Sequence, residues 1–203
     1  MEKKLYSLIM LMLICVCVGN ESAGGNTWCS DVVTYGASGE GECLDTVAIQ
    51  AAIDDCWSSG GGRVRFPPVT YLTGTIFVKT RVILQVEEGA TILGSPFQED
   101  YPLESWRWYV ILAENASNVG ISGGGVIDGQ SSKFVTRFDR RKNVMRRWNV
   151  TGDFHGDECC SYLLDFLNCR NVHVSDIFLT DLAYWWYFFF QIFSFFLTCS
   201  LTR

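Results

Sequence analysis

The chain has 203 residues, 48% hydrophobic and 19% charged, with nine cysteines and a formal net charge of −6. Those values suit one globular domain. They exclude a disordered segment, and they exclude a nucleic-acid binder, which would carry a basic surplus to neutralise phosphates.

In chain order, Lys3 and Lys4 precede an apolar run from Leu5 to Val18, followed by small and polar residues, which is the layout of a cleaved secretory signal. Residues 1–23 are therefore expected to be a signal peptide, cut after Gly19 or Ala23. The run is shorter than the roughly 20 residues that cross a bilayer as a helix. Secretion to the extracellular space is the consequence. Without the signal and the aromatic tail, Cys29, Cys43, Cys56, Cys159, Cys160 and Cys169 are left, an even set that an oxidising compartment can pair, with the connectivity open. No C-x-x-C pair occurs and His155 and His173 are the only histidines, so neither a metal site nor a cofactor is expected. Asn115-Ala-Ser and Asn149-Val-Thr are candidate glycan acceptors on such a chain.

From residue 31 a short apolar strand leads into a Gly-rich turn. Asp45 or Thr46 then caps a helix of about three turns whose apolar positions Val47, Ile49, Ala52, Ile53 and Cys56 recur at helical spacing. Ser-Ser-Gly-Gly-Gly from Ser58 ends it. Beyond that point short β-branched runs follow one another, at 64–66, 75–78, 81–86, 90–93 and 109–112, separated by turn residues.

The strands repeat. NASNVGIS at 115–122 and NCRNVHVS at 168–175 share N-x-x-N-V-x-[IV]-S at an offset of 53. That offset is expected to span two rungs of a solenoid of roughly 20–30 residues per rung. The architecture so predicted is all-β, a right-handed parallel β-helix, with the helix near residue 50 capping its N-terminal end. Val119 and Ile121, like Val172 and Val174, alternate with polar or small residues and are placed inside the coil. Asn115 and Asn168 are expected to stack along the turns, a role in competition with a glycan on Asn115.

Three stretches, YGASGEGECLDTVAIQAAIDDC, then GGGRVRFPPVTYLTGTIFVKTRVILQVEEGATILGS, then NVGISGGGVIDGQ, carry a resemblance to the N-terminal part of plant polygalacturonase-like proteins of glycoside hydrolase family 28. It covers about residues 31–184. The resemblance implies a pectin-lyase-like β-helix, secreted, that hydrolyses galacturonosyl linkages of pectin in the cell wall without a metal. Val126-Ile127-Asp128-Gly129 is followed here by QSSKFVTRF, where family members often have a further Gly and a Trp pair. The family's catalytic aspartates, in an Asn-x-Asp-Gly stretch and an Asp-Asp pair, have no counterpart in their proper setting; Asp54-Asp55 lies in the N-terminal helix. No catalytic residue is transferred, and the β-helix is expected to be incomplete, cut short before its catalytic rungs. The enzyme assignment is left open, because inverting hydrolysis needs an acid and a base held about 6.5–9.5 Å apart.

Within the chain, Asp153, His155, Asp157 and Glu158 form the densest ionisable group, read as a solvated loop rather than an acid/base pair or cation site. Gly120-Ile121-Ser122-Gly123-Gly124 matches G-x-S-x-G, but a nucleophile elbow needs a following helix, so a rung turn is expected. Lys133 to Arg147 holds seven basic residues and one acidic one. Within it Arg140, Arg141, Arg146 and Arg147 are the candidate contacts to an acidic polysaccharide such as pectate, against the plainer reading of an exposed loop or short helix. In Tyr184 to Phe196 ten of thirteen residues are aromatic. The division expected is therefore a signal at 1–23, β-helix at 24–183 and an aromatic tail outside the family sequence at 184–203. A non-catalytic pectin-binding fragment and a membrane-tethered wall protein held by the tail are the alternatives. If soluble, the chain is expected to be a monomer, with neither nucleic acid nor membrane as partner.

Overall fold

A computed structural model describes residues 28–102, 109–130, 133, 135–138, 143–145, 162–181 and 195–201. The expected signal at 1–23, Asn149, the Asp153–Glu158 group and Arg140, Arg141, Arg146 and Arg147 lie outside them.

Period-two alternation builds three walls. The first stacks β1 (Trp28–Asp31), β3 (Gly62–Phe66), β6 (Val82–Val86), β9 (Ser117–Gly123) and β14 (Arg170–Thr180), all parallel. The second stacks β2 (Glu40–Leu44), β4 (Thr70–Thr73), β7 (Thr91–Gly94) and β10 (Val126–Asp128), and closes on the far half of β14. The third is shorter: β5 (Ile76–Val78), β8 (Tyr109–Glu114) and β13 (Tyr162–Leu167). Successive strands visit the walls in turn, so the chain is a parallel β-helix, as expected. A further strand, β15 (Phe195–Leu201), from the aromatic tail pairs parallel with β14.

Inward positions stack into rows. Val64, Leu84, Ile121 and Val174 sit in register across the first wall and are all buried. Each such aliphatic contributes roughly 1.5–3 kcal/mol by leaving water. Parallel stacking repeats the same pocket at every rung, so a β-branched or leucine side chain is wanted at each.

The repeated motif aligns in a way its spacing did not suggest. Val119 pairs directly with Val172 and Ile121 with Val174, so the copies are neighbouring rungs and the offset of 53 is one rung, not two. Rung length instead grows along the chain: Val64 pairs with Leu84, Leu84 with Ile121, Ile121 with Val174. The extra residues enter at one corner, between the second and third walls. There two residues, Gly74 and Thr75, join β4 to β5, whereas 95–108 join β7 to β8 and 129–161 join β10 to β13.

Helix α1 (Thr46–Ser58) covers the N-terminal end, burying Ile49, Ala52, Ile53 and Cys56 against the coil. Asp45 does not cap it by a side-chain bond to the helix. Its carboxylate instead accepts from the backbone N–H of Ser38 (2.7 Å) and Gly39 (3.2 Å), tying down the preceding turn. Gln50 meets the open edge of the third wall: its Oε1 accepts from Phe77 N (2.9 Å) and its Nε2 donates to Phe77 O (3.1 Å). A side-chain amide thus supplies both ladder bonds that a neighbouring strand would, which removes a pairing edge. Among the described residues no helix is long and apolar enough to cross a membrane.

Candidate functional site

The outer surface of a β-helix is built from the residues that alternate with its core rows. On the first wall Arg63 Nη1 donates to Gln85 Oε1 (2.7 Å) and to Ser122 Oγ (3.2 Å), while Ser122 donates to Gln85 Oε1 (2.9 Å). Arg65 pairs with Glu87 and Asp31 (2.7 and 2.9 Å). Ser122 is therefore one member of a polar row, and Gly123 to Gly125 lead straight into β10 without a helix. G-x-S-x-G thus ends strand β9, with Ser122 on the strand and the turn beginning after Gly123, and no elbow forms. These bonds of Arg63, Gln85 and Ser122 end on one another, and those of Arg65 on Glu87 and Asp31.

The third wall differs. Phe77, Leu112 and Asp165 stand in register, alternating with core residues Val78, Ala113 and Phe166. Phe77 is half-buried and Leu112 is fully buried. Asp165 is only 1% exposed, and its Oδ2 has no hydrogen-bond partner. Burial pushes its carboxyl up to about 6, against opposing hydrogen bonds from Tyr109 and the Phe166 backbone N–H. A carboxylate taken from water pays most of its hydration energy, so the proton is held. Beside this wall a pocket of about 240 Å³ is lined by Trp57, Phe77, Lys79, Thr80, Leu112 and Glu114. Lys79 lies 4.6 Å over the Trp57 ring and pairs with Asp54 (2.8 Å), so the Asp54-Asp55 pair is occupied on the cap helix, where Asp55 accepts from Tyr35.

The long corner connections enter this wall. The one at 129–161 leaves from Asp128, whose carboxyl burial also raises, and its Oδ1 accepts from Gln130 N (2.8 Å). Within it β11 (Val135–Phe138) pairs antiparallel with β12 (Asn143–Met145). The basic segment thus contains a hairpin, preceded by Lys133 in a helical turn. Arg140 and Arg141 fall between its strands, and Arg146 and Arg147 just after, outside the described residues. Asp165 was not singled out from sequence. The available signal was one carboxylate inside the apolar strand Leu163-Leu164-Asp165-Phe166, at the parity that alternates with the core.

At the turn into the first wall Asn168 Nδ2 donates to Asn115 Oδ1 (2.7 Å) and Asn171 Nδ2 to Asn118 Oδ1 (3.0 Å). All four have positive φ, between 51° and 54°. The expected stack forms through Asn115 Oδ1, and Asn115 is exposed within it. Among the described residues no group of three His, Cys, Asp or Glu is placed to hold a metal ion.

No family model matches the chain. An exo-poly-alpha-D-galacturonosidase of Dickeya chrysanthemi is 35% identical over 121 residues, 51% of this chain and 20% of that protein. A hyperthermoactive exopolygalacturonase from Thermotoga maritima superposes with a TM-score of 0.61 at 22% identity, over 76% of this chain and 42% of that one. The chain is similar in sequence to the first of these and in fold to the second. A shorter match, 44% over 73 residues, is to the plasmin and fibronectin-binding protein A of Streptococcus pneumoniae, covering 35% of the chain and 10% of that protein. The chain spans a fifth or less of the length of these two curated relatives.

Proposed function

We propose that the chain forms the first rungs of a secreted, extracellular glycoside hydrolase acting on pectic polysaccharide of the cell wall, and that these rungs bind substrate while the acid/base carboxylates belong to other rungs. The observation that carries the reading is the growth of the corner connections beside the third wall, on a coil similar to exopolygalacturonases. The buried Asp165 is closed to a substrate, and the Asp54-Asp55 pair is tied to Lys79 and Tyr35. The segment 133–147 supplies the cationic side chains that uronate carboxylates would meet. Glycans on Asn115 and Asn149 belong to the same reading, and Asn115 is exposed to carry one.

The test is incubation of the purified chain with polygalacturonate. The expected outcome is no release of reducing sugar, with retention on immobilised pectate that weakens as salt rises. Sugar release would place the acid and base within this chain, and lack of retention would remove pectate as ligand. A second reading, a binding β-helix without hydrolysis, is favoured by the similarity to the streptococcal binding protein; equal retention on neutral and acidic polysaccharide would support it.

A further inference from the structure

Cys29 lies on β1 and Cys56 on the last turn of α1, 27 positions apart in the chain. The fold brings them together. Cys29 is near enough to the Cys56 thiol to push it up, after burial. A Cβ built on Gly62 would stand 2.8 Å from Cys29 Cβ and 3.6 Å from the sulfur of each cysteine, so both sulfurs line the same small gap. Gly62 has φ +151° and no side chain to fill it. Elsewhere Cys169 is engaged with backbone, its Sγ within 3.5 Å of Ala113 O and 3.4 Å of Leu167 O, and Cys43 is exposed on β2.

We infer that Cys29 and Cys56 form a disulfide that clamps the cap helix to the first strand of the coil. Of the pairings left open by the cysteine count, this is the one that the geometry selects among the described residues. The reaction is thiol–disulfide exchange with a small disulfide donor such as oxidised glutathione. Cys29 is half-exposed and is the thiol that a donor reaches. Losing its proton, its sulfur attacks one donor sulfur, the donor S–S bond breaks, and one donor thiol leaves. Cys56 then loses its proton and attacks the Cys29 sulfur; the mixed disulfide breaks and the second donor thiol leaves. The protein gives up two electrons and two protons, and the donor gains both. Cys56 is fully buried and its thiol is pushed up to about 12, first by burial and then by Cys29, so it stays protonated until the first step delivers a partner.

The consequence is a closed loop from Cys29 to Cys56 that holds the first turn, β2 and α1 together, at the end where a solenoid would fray. The experiment is to equilibrate the purified chain with oxidised glutathione, alkylate free thiols and map the non-reduced digest by mass spectrometry. A Cys29–Cys56 peptide two hydrogens lighter than its separated halves is expected. Both cysteines alkylated, or either found joined to another cysteine, would overturn the clamp. As a second measurement, Cys29→Ser is expected to melt about 5–10 °C below the oxidised chain and level with the reduced one. Equal melting of oxidised wild type and Cys29→Ser would also overturn it. Neither readout depends on secretion or on pectate.

Discussion

Gln50 pairs with both backbone groups of Phe77, so a side chain of the cap helix stands in for the missing strand below the third wall. Replacing it with Leu keeps the helix propensity and removes both partners from half-buried backbone groups. Gln50→Leu is expected to lower the unfolding free energy in urea by about 1–3 kcal/mol. Gln50→Glu keeps the acceptor for Phe77 N and loses the donor to Phe77 O, and should fall between the two.

Asn168 combines a left-handed backbone with a bond to Asn115. Asn168→Ala loses both and is expected to cost about 1–2 kcal/mol. Asn168→Gly loses the bond alone and should melt above the Ala variant. The reverse order would show that the φ angle does not set the residue.

Asp165 makes stability depend on pH. Its folded carboxyl holds a proton up to about 6, above the ordinary aspartate value of 3.8. The folded chain thus binds the proton more tightly than the unfolded chain does. That advantage is present below pH 3.8 and lost as pH rises toward and through 6. Asp165→Asn keeps acceptor and shape without the charge. It is expected to exceed wild type by up to about 3 kcal/mol at pH 8 and to match it near pH 3, by urea unfolding at each pH. A constant difference across that range would disprove the linkage.

Gly120 lies under the β9–β14 ladder, opposite His173. A Cβ there would run into the His173 carbonyl. Gly120→Ala is expected to cost more than about 3 kcal/mol, because the neighbour is backbone in register and cannot swing away. Ala at Gly60, whose surroundings are open, shares only the cost of its positive φ and is the milder control.

The coil was legible because its signals are local. Alternation at Val119 and Ile121, turn residues between short strands and a helical period from Ile49 to Cys56 each reflect one residue's immediate surroundings, whereas Val47, expected on the same face, is exposed. The rung count was not legible. Sequence distance between Val119 and Val172 includes whatever leaves the coil at the corner, and only pairing shows that the two are neighbours. Asp165 escaped for a related reason: its burial is a property of the folded chain, whereas its sequence neighbours are those of any strand. Cys29 and Cys56 were counted but not matched, since the fold that joins them brings β1 and α1 together around a glycine.

The corner between the second and third walls accepts two residues at one rung and 33 at another, while the rows on either side keep their register. Rung geometry and loop content are therefore separate variables in this chain. Wall residues set where each connection is anchored, and the connection is free to change in length and charge without shifting the aliphatic stack. A chain in which Gly129 to Ser161 is exchanged for a short turn like Gly74-Thr75 would keep the scaffold and lose the cationic segment, isolating the part of the molecule that varies from the part that measures distance.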